Sequence, residues 1–370
     1  MPAVRKQEPQ SVLMRETDPW KPEHVERILR EVTLGWDLTE TEHNTAQTTI
    51  AEFADCFALS IKEVNAILGA VHKLNIPEGA TFRTKIPLRL YNPDQRAFLE
   101  VKIDEMLEAG VICKIHPRDV WCVAQTVLAQ KTHKGEGLTL DELKHCVNNQ
   151  CVEHGLPSEF EMPPQPEPHE PVTKTLQDKP KKWRICQDFG GINKVTKMAP
   201  VTQGDIQAKQ LCLSGHCYIH IFDFAAGFYK VEIHPDSQPY IMFYVEGQGY
   251  FTYKRMPFGV TGGPSEFGHV TAERLHDLIM SSILELFIDD GGMAFDTFEE
   301  GMIKLRILLE CVCREKMLLS PSQLKLFMGE AVFAGAQVGP EGVSLDAKIN
   351  CNCGLAHTHQ CIFGRIPGPH

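Results

Sequence analysis

The sequence predicts an α+β fold in which helices cover one face of a β-sheet. One observation behind this prediction is the order of patterns after residue 183, which runs strand, hairpin, helix, hairpin and helix. Such an order is typical of sheets that carry their helices on one face. The other is composition, because 43% of the 370 residues are hydrophobic. A chain of this length and apolar content can bury a sizeable core and form more than one subdomain.

The predicted sheet consists of short runs rich in aromatic and β-branched residues, which favour strands. These runs cover 218–223, 229–233, 241–245, 250–255, 284–288 and 292–295. Apolar residues at helical spacing predict two helices, over 264–281 and 299–316. In the second of these helices, one face carries Met302, Leu305, Leu309 and Val312.

The sequence before residue 132 predicts a few further helices and strands. Residues 1–75 are predicted to be a helical and linker region, with two short helices within 46–75. A further helix begins at Asn92-Pro93-Asp94, because Asn caps helices and Pro suits the first turn. It ends at Gly110. Strands are predicted at 111–112 and 123–128.

Residues 132–182 predict an insert of two parts. The first part has helical spacing, at Leu140, Leu143, Val147 and Cys151. In the second part, prolines between Pro157 and Pro171 alternate with glutamates, and such a segment cannot bury a core. We interpret it as an extended spacer, with docking of a protein partner as the alternative.

Net charge, cysteine spacing and hydropathy limit the possible functions and predict the cellular compartment. The net charge of −11 argues against a general nucleic-acid coat, although binding depends on local basic surface. One such surface is Lys179, Lys181, Lys182 and Arg184, for which a solvated charged turn is the alternative. The 13 cysteines lack disulfide spacing, no signal peptide opens the chain, and no apolar run reaches about 18 residues. These features predict a reducing, intracellular location.

The box Phe287-Ile288-Asp289-Asp290 predicts the functional centre. It ends an apolar run and precedes Gly291-Gly292, which would suit the exit of a hairpin turn. Burying two like charges is costly unless a cation lies beside them. Asp223 ends a second apolar run, and acids at two strand ends suit hard divalent cations. For the box alone, an exposed turn without function is the alternative.

Further segments accompany the box in a fixed order. They are Glu105 to Ile112, Trp183 to Phe189 with Asn193-Lys194, Phe222 to Phe228, Arg255 to Thr261 with Pro264 and Phe267, and Phe333-Ala334-Gly335 with Gly342-Val343. In this order they resemble the family patterns E-M-L-x-x-G-V-I, W-R-x-C-x-D-Y…N-K, L-D-L-x-x-G-Y, M-P-F-G-L-x-x-A-P-x-x-F and F-L-G-H…G-I, and the box resembles Y-x-D-D. The family is the reverse transcriptase of gypsy-class long-terminal-repeat retrotransposons.

The resemblance implies a right-hand polymerase fold with palm and fingers and with the thumb largely missing. Residues 76–131 would form the first part of the fingers, and 183–345 the core of fingers and palm. It implies an RNA-directed DNA polymerase that transfers deoxynucleotides to a primer 3′-hydroxyl. The implied partners are an RNA or DNA template–primer duplex and deoxynucleoside triphosphates. The implied location is the cytoplasm, in a virus-like particle, or the nucleus.

The resemblance also assigns site residues. Asp223 and Asp289 would hold two Mg²⁺ ions, which Mn²⁺ could replace, and Asp290 belongs to the same acidic site. Arg184 would contact the triphosphate, because its planar donors suit phosphate oxygens. Phe228 would exclude a ribose 2′-hydroxyl, with a core aromatic as the alternative. Phe258 and Gly259 would lie under the template–nucleotide pair, whereas Phe287, Phe333 and Gly335 would contact the primer or template.

The chain departs from the family pattern at several positions. Phe287 replaces the commoner Tyr and so lacks its hydroxyl, and Ala334 stands where Leu is usual. The insert separates the finger strand from Trp183, which leaves Lys131 and Lys182 as alternatives for the fingertip lysine.

Residues 346–370 are predicted to be an aberrant tail. Cys351, Cys353, His357, His359 and Cys361 have the spacing of zinc ligands. The alternative, which we favour, is a frameshift: back-translating Ile349 to His370 and shifting by one nucleotide permits LTAIVDWPTPTNASLEGFLGLT. That peptide resembles the continuation of the family, A-I-x-x-W-P-x-P…F-L-G-L.

The sequence therefore leaves three functions open. The first is an active reverse transcriptase domain, which the intact acids favour. The second is an inactive retroelement remnant with residual nucleic-acid binding. The third is a host-recruited interaction module that uses the insert and the N-terminal region.

Overall fold

A computed structural model describes residues 18–85, 89–130, 183–197 and 204–345. The helices are α1 (Pro22–Glu31), α2 (Glu40–Glu52), α3 (Pro93–Glu108), α4 (Gly190–Asn193), α5 (Ile206–Leu213), α6 (Gly263–Arg274), α7 (His276–Met280) and α8 (Phe298–Arg314). The first strands are β1 (Thr33–Leu34), β2 (Val71–His72), β3 (Ile112–Ile115), β4 (Gln125–Gln130), β5 (Trp183–Asp188), β6 (Tyr218–Asp223), β7 (Glu232–Ile233) and β8 (Met242–Val245). The others are β9 (Gly249–Tyr253), β10 (Glu285–Phe287), β11 (Asp290–Phe295), β12 (Lys325–Met328), β13 (Ala331–Phe333), β14 (Ala336–Gly339) and β15 (Gly342–Leu345).

The chain divides into two compact units. The first comprises Met1–Val127 and Cys186–Ala347, and the second comprises Leu128–Ile185 and Lys348–His370. The predictions for the insert, for the aberrant tail, for Lys131 and for Lys182 lie outside the described residues. The subdomain boundaries stay a prediction. In the described part of the chain, no helix is both long and apolar enough to cross a membrane.

The central sheet of the first unit has the strand order β1-β12-β6-β11-β10. Strands β10, β11, β6 and β12 pair antiparallel, whereas β1 joins the edge by parallel pairing with β12. Sequence patterns did not predict β1, because Thr33–Leu34 is a two-residue strand in a polar region. Smaller sheets contain β3-β9-β8, β13-β14-β15, β2-β7 and β4-β5.

Both faces of the central sheet are covered. Successive side chains of β6 point to opposite faces, as they do in any strand. Ile219 and Ile221 pack with Leu213 of α5 and with Phe333 of β13. On the other face, His220 reaches α8, where its Nε2 lies 3.1 Å from the Gly301 carbonyl oxygen. Asp223, a predicted catalytic residue, therefore lies at the end of a strand that is buried on both faces.

His220 ties the centre of the sheet to its neighbours. Its Nδ1 accepts a 3.1 Å hydrogen bond from the Phe327 amide, so its Nε2 carries the proton and donates to Gly301. The ring also contacts Phe295 and Phe327, at centroid distances of 4.3 and 4.6 Å. Burial lowers the pKa of His220 to about 3, which keeps the ring neutral at physiological pH.

Most predicted elements are present with shifted ends. The strand predicted at 218–223 is β6, with the same first and last residues. Of the strand predicted at 229–233, only the end forms, as β7, because Gly227–Lys230 is a 3₁₀ turn. The helix predicted at 264–281 is two helices, α6 and α7, which meet at the buried Leu275.

The prediction of two short helices within 46–75 is wrong. Helix α2 begins earlier, at Glu40, because Thr39 and Glu42 form a capping box. Each side chain of that box hydrogen-bonds the backbone amide of the other residue, at 2.8 and 3.3 Å. After α2 come two 3₁₀ turns, Ala54–Cys56 and Ile61–Glu63, and then β2.

The glycine pair after the acidic box has a packing role. Phe287 pairs with Asp290, so the turn of the β10–β11 hairpin is Ile288-Asp289, and Gly291 and Gly292 lie inside β11. This corrects the prediction that the glycines form the exit of the turn. A Cβ on Gly291 would lie 2.1 Å from the ring of the buried Phe222, and one on Gly292 2.5 Å from Leu213.

Gly291→Ala should therefore destabilise the protein. The added methyl would overpack a fully buried ring, and such changes cost about 1–3 kcal/mol. Gly191→Ala is the matched control, because a Cβ there meets nothing within 4 Å in helix α4. Chemical denaturation of both variants measures the difference. Equal unfolding free energies for the two variants would contradict the packing role.

Candidate active site

The strand register brings the predicted acids together. Asp223 is the last residue of β6 and Asp290 the first of β11, and the two are paired across the antiparallel ladder. Asp289 precedes Asp290 in the hairpin turn. Because antiparallel partners face each other directly, all three carboxyl groups lie at the same end of the sheet.

The turn that carries Asp289 is strained and supported. Ile288 has a φ of 57°, which is uncommon for a β-branched residue. Backbone strain of this kind costs on the order of 1–3 kcal/mol and persists where neighbours enforce it. One such neighbour is Thr271 of α6, whose hydroxyl oxygen lies 3.2 Å from the Ile288 carbonyl oxygen and 3.0 Å from the carbonyl oxygen of Phe267 in its own helix. Helix α6 therefore helps fix the acidic turn.

Burial and mutual repulsion make the acids hard to ionise. Burial raises the pKa of Asp223 to about 7, and the charges of Asp289 and Asp290 add to the shift. Burial likewise raises the pKa of Asp290 to about 6, with a further contribution from Asp289. The pKa of Asp289 is also raised by burial. Such a cluster favours an added cation, because a cation relieves the repulsion between the carboxylates.

Nearby polar groups partly counter this effect, and sequence reasoning missed two of them. The Phe224 amide and the Gln323 side chain lower the pKa of Asp223, and the Ala334 amide, in the turn between β13 and β14, lowers the pKa of Asp290. Gln323 carries no sequence pattern that marks it. A backbone amide such as that of Ala334 is not encoded by side-chain identity.

The donor set fits hard divalent cations. The site offers carboxylate oxygens, which Mg²⁺ prefers. The oxygens of the three acids do not all lie within 4.8 Å of one another. Asp223, Asp289 and Asp290 are therefore the residues of this site that could hold metal ions.

A second group with metal-ligand chemistry lies elsewhere. The ligand atoms of Asp55, Cys56 and Cys313 all lie within 4.8 Å of one another. Both thiols act as hydrogen-bond donors, Cys56 to the Leu309 carbonyl at 3.3 Å and Cys313 to Asp55 at 3.2 Å. Burial raises the pKa of Cys313, which favours the protonated thiol. We interpret this group as a contact between the segment after α2 and helix α8.

A pocket of about 280 Å³ is lined by several residues of the predicted nucleotide site. Phe228 and Gly259 line it, together with Asn193 and Pro264. The Phe228 ring stands edge-on to Phe258, at 4.8 Å between centroids. Phe258 is itself 51% exposed, a high value for a large aromatic side chain.

Asn193 organises the wall of this pocket. Its Nδ2 donates a 2.8 Å hydrogen bond to the Gly259 carbonyl, and its Oδ1 accepts one of 2.9 Å from the Thr261 amide. Gly259 has a φ of 87°, a conformation that favours glycine. The motif analysis included Asn193 but gave it no role, and the structure assigns it this bridging position.

The remaining predicted site residues have different environments. Arg184 is exposed on β5 and lies in the second unit. Phe287 is half-buried against the core cluster that contains Phe333, which is fully buried itself. Gly335 is exposed in the β13–β14 turn, with a φ of 80°. At this hairpin, any contact with nucleic acid would thus come from the turn and not from the Phe333 ring.

Residues 173–345 match the family model of reverse transcriptase (RNA-dependent DNA polymerase). A putative enzymatic polyprotein of Cassava vein mosaic virus is 28% identical over 186 residues, which cover 48% of this chain and 27% of that protein. The retrovirus-related Pol polyprotein from transposon 297 of Drosophila melanogaster is 25% identical over 165 residues, 44% of this chain and 15% of that protein. The chain thus spans about a quarter or less of these relatives.

Solved structures of the foamy viral protease–reverse transcriptase share the fold. The complex of that protein with double-stranded DNA superposes with a TM-score of 0.63 at 16% identity, covering 92% of this chain and 58% of that one. Its complex with an RNA/DNA hybrid gives a TM-score of 0.62 at 15% identity, covering 92% and 37%.

The fold is therefore the predicted α+β right-hand polymerase fold. Residues 173–345 are thus similar to the reverse transcriptase domain found in retroelement polyproteins.

Asp223→Asn should alter the pH dependence of stability. A carboxyl whose folded pKa of about 7 exceeds the ordinary 3.8 stabilises the protein fully below pH 4, and this stability is lost as pH rises through 7. The variant should thus be more stable than wild type at pH 8, by about 1–2 kcal/mol after allowance for solvent screening. The gain should vanish near pH 4.

Urea denaturation of the metal-free chain from pH 4 to 8 measures this difference. Comparison with wild type cancels the contribution of His220, which has the opposite sign. Mg²⁺ should stabilise wild type most above pH 7 and the variant less. Asp236→Asn, at an exposed ion pair with Lys73, is the control. A variant that is less stable than wild type at pH 8 would contradict the electrostatic account.

Proposed function

We propose that this domain transfers deoxynucleotides from their triphosphates to a primer 3′-hydroxyl on an RNA or DNA template. The observation that carries the proposal is the pairing of Asp223 with Asp290 across the β6–β11 ladder, with Asp289 in the adjoining turn. Ionised carboxylates at one strand end are the ligand set that two-metal phosphoryl transfer uses.

The acids would act as ligands for two Mg²⁺ ions, with Mn²⁺ as a substitute. Bound there, the ions would supply Lewis acidity to the primer hydroxyl and charge neutralisation to the triphosphate. Asp223 and Asp289 would hold the two ions, and Asp290 would contribute negative charge beside them. The Phe224 amide, the Gln323 side chain and the Ala334 amide lower the pKa values of these acids and so favour the ionised carboxylates.

The pocket beside Phe228 would receive the sugar and base of the incoming nucleotide. The Phe228 ring is braced by Phe258 and by Phe267, the latter at 5.7 Å between centroids. A braced ring at this position would exclude a ribose 2′-hydroxyl. The exposed Phe258 and the Gly259 backbone would lie under the template–nucleotide pair, and Arg184 would contact the triphosphate.

The nucleic-acid partner would be a template–primer duplex. In support, the foamy viral structures with the same fold contain an RNA/DNA hybrid in one case and double-stranded DNA in another. Phe287 and the Ala334-Gly335 turn flank the acids and would contact the primer end. We also propose a gypsy-class retrotransposon origin, on the motifs given above, and an intracellular location.

Asp289→Asn should reduce primer extension by roughly 10²–10³-fold or more, because it removes a charge from the metal site. The measurement is extension of a DNA primer on an RNA template with Mg²⁺. Asp296→Asn, just beyond the opposite end of β11, is the matched control and should retain activity. Equal extension by Asp289→Asn and wild type would overturn the catalytic assignment. A folded but inactive wild type would instead support a remnant.

Phe228→Ala should relax sugar selectivity. Removing the ring would admit a ribose 2′-hydroxyl, and the preference for deoxynucleotides should fall on the order of 10–10²-fold. The readout is the ratio of kcat/KM for a deoxynucleotide to that for its ribonucleotide, which a general loss of stability leaves unchanged. Tyr229→Phe, one residue away, is the control. An unchanged ratio in Phe228→Ala would support a core aromatic instead.

A further inference from the structure

We infer that His72 is a positioning residue for the pocket in which the incoming nucleotide would lie. Its side chain holds the Thr261 carbonyl, and its backbone pairs with the strand that follows Phe228. The inference rests on the proposed function, because this pocket is the proposed nucleotide site. His72 lies on β2, outside every segment that the sequence motifs marked.

The pocket loop, residues 259–262, has a demanding backbone. Gly259 and Gly262 both have positive φ, 87° and 82° respectively. Residues in this conformation interrupt regular secondary structure, so the backbone groups beside them need partners from elsewhere in the fold. The Asn193 side chain binds the Gly259 carbonyl and the Thr261 amide. The Thr261 carbonyl needs a donor of its own.

His72 supplies that donor from a buried position. Its Nε2 lies 3.3 Å from the Thr261 carbonyl oxygen, and Nε2 carries the proton because a carbonyl oxygen can only accept. Its Nδ1 lies 3.6 Å from a carboxylate oxygen of Glu266, in the first turn of α6. The His72 side chain is only 8% exposed, so water cannot readily replace it as the donor.

The His72 ring also packs directly against the pocket loop. A Cβ on Gly262 would lie 3.1 Å from Cε1 of His72, which is tighter than an ordinary van der Waals contact. Glycine at this position thus lets the loop approach the ring closely. The hydrogen bond and the packing contact act on the adjacent residues Thr261 and Gly262, and both of these residues line the pocket.

The backbone of His72 is joined to the strand beyond Phe228. Strand β2 pairs in parallel with β7, with His72 opposite Ile233. The His72 carbonyl accepts a 2.9 Å hydrogen bond from the His234 amide. Strand β7 comes soon after the 3₁₀ turn Gly227–Lys230, which carries Phe228. His72 therefore links the segment of the ring that would exclude a ribose 2′-hydroxyl to the loop that lines the same pocket.

The acidic site is held by different contacts, chiefly the β6–β11 ladder that pairs Asp223 with Asp290. Loss of the His72 hydrogen bond should therefore displace the nucleotide pocket and leave the metal ligands in place. Such a change weakens nucleotide binding more than it slows the chemical step. The expected signature is a rise in KM for the deoxynucleotide with kcat nearly unchanged.

Steady-state primer extension by the full-length chain tests this role, with a DNA primer, an RNA template, Mg²⁺ and one deoxynucleotide as the varied substrate. In His72→Leu, KM for the deoxynucleotide should rise about tenfold, because small displacements in a site can cost up to about 10²-fold. His72→Gln keeps a donor near the place of Nε2 and should recover most of the wild-type KM. His276→Leu, at the exposed first residue of α7, is the matched control and should leave KM unchanged.

The outcomes distinguish failure of this role from failure of the proposed function. A wild-type KM in folded His72→Leu would overturn the positioning role, even if kcat fell. Equal rises in KM for His72→Leu and His72→Gln would also overturn it, because ring packing alone would then explain the effect. If His72→Leu does not fold, His72→Asn replaces it, since its shorter amide cannot reach the Thr261 carbonyl. An unchanged KM in His72→Asn would likewise overturn the role. No extension by the folded wild-type chain would instead overturn the proposed function, and this inference with it.

Discussion

The antiparallel register of β6 and β11 is the constraint on which the site depends. It places Asp223 opposite Asp290, at the end of strands that are buried on both faces. Burial there raises the pKa values of these acids, and the repulsion between their like charges adds to the shift. A shift of one residue in register would move every side chain of β6 to the other face. The core and the acidic site therefore depend on the same pairing.

Much of the surrounding structure secures that register. His220 joins the middle of β6 to α8 and to Phe327, and burial keeps it neutral by lowering its pKa. Gly291 lets β11 approach the Phe222 ring. Thr271 then supports the start of the acidic turn, at the Ile288 carbonyl. The acids are thus held by neighbours from several parts of the chain, which is how a site with unfavourable charges can remain ordered.

The sequence predicted the elements that have a strong local signal. Run 218–223 is rich in aromatic and β-branched residues and is strand β6, and the cap at Asn92 correctly placed the start of α3. The sequence did not predict features that depend on tertiary contacts. Strand β1 is only two residues long, and the glycine pair after the acidic box is needed for close packing, which leaves no local sequence pattern. For the site, the acids were predictable by resemblance. The support that Thr271 gives to the acidic turn was not, because that contact exists only after folding.

The most direct test of the account is to locate divalent metal in the folded chain. Anomalous diffraction from crystals grown with a template–primer, Mn²⁺ and a non-hydrolysable deoxynucleotide would do so. The account predicts two peaks about 3.5–4 Å apart, bounded by Asp223 and Asp289. Well-ordered acids without a peak, or metal only at Asp55, Cys56 and Cys313, would contradict it.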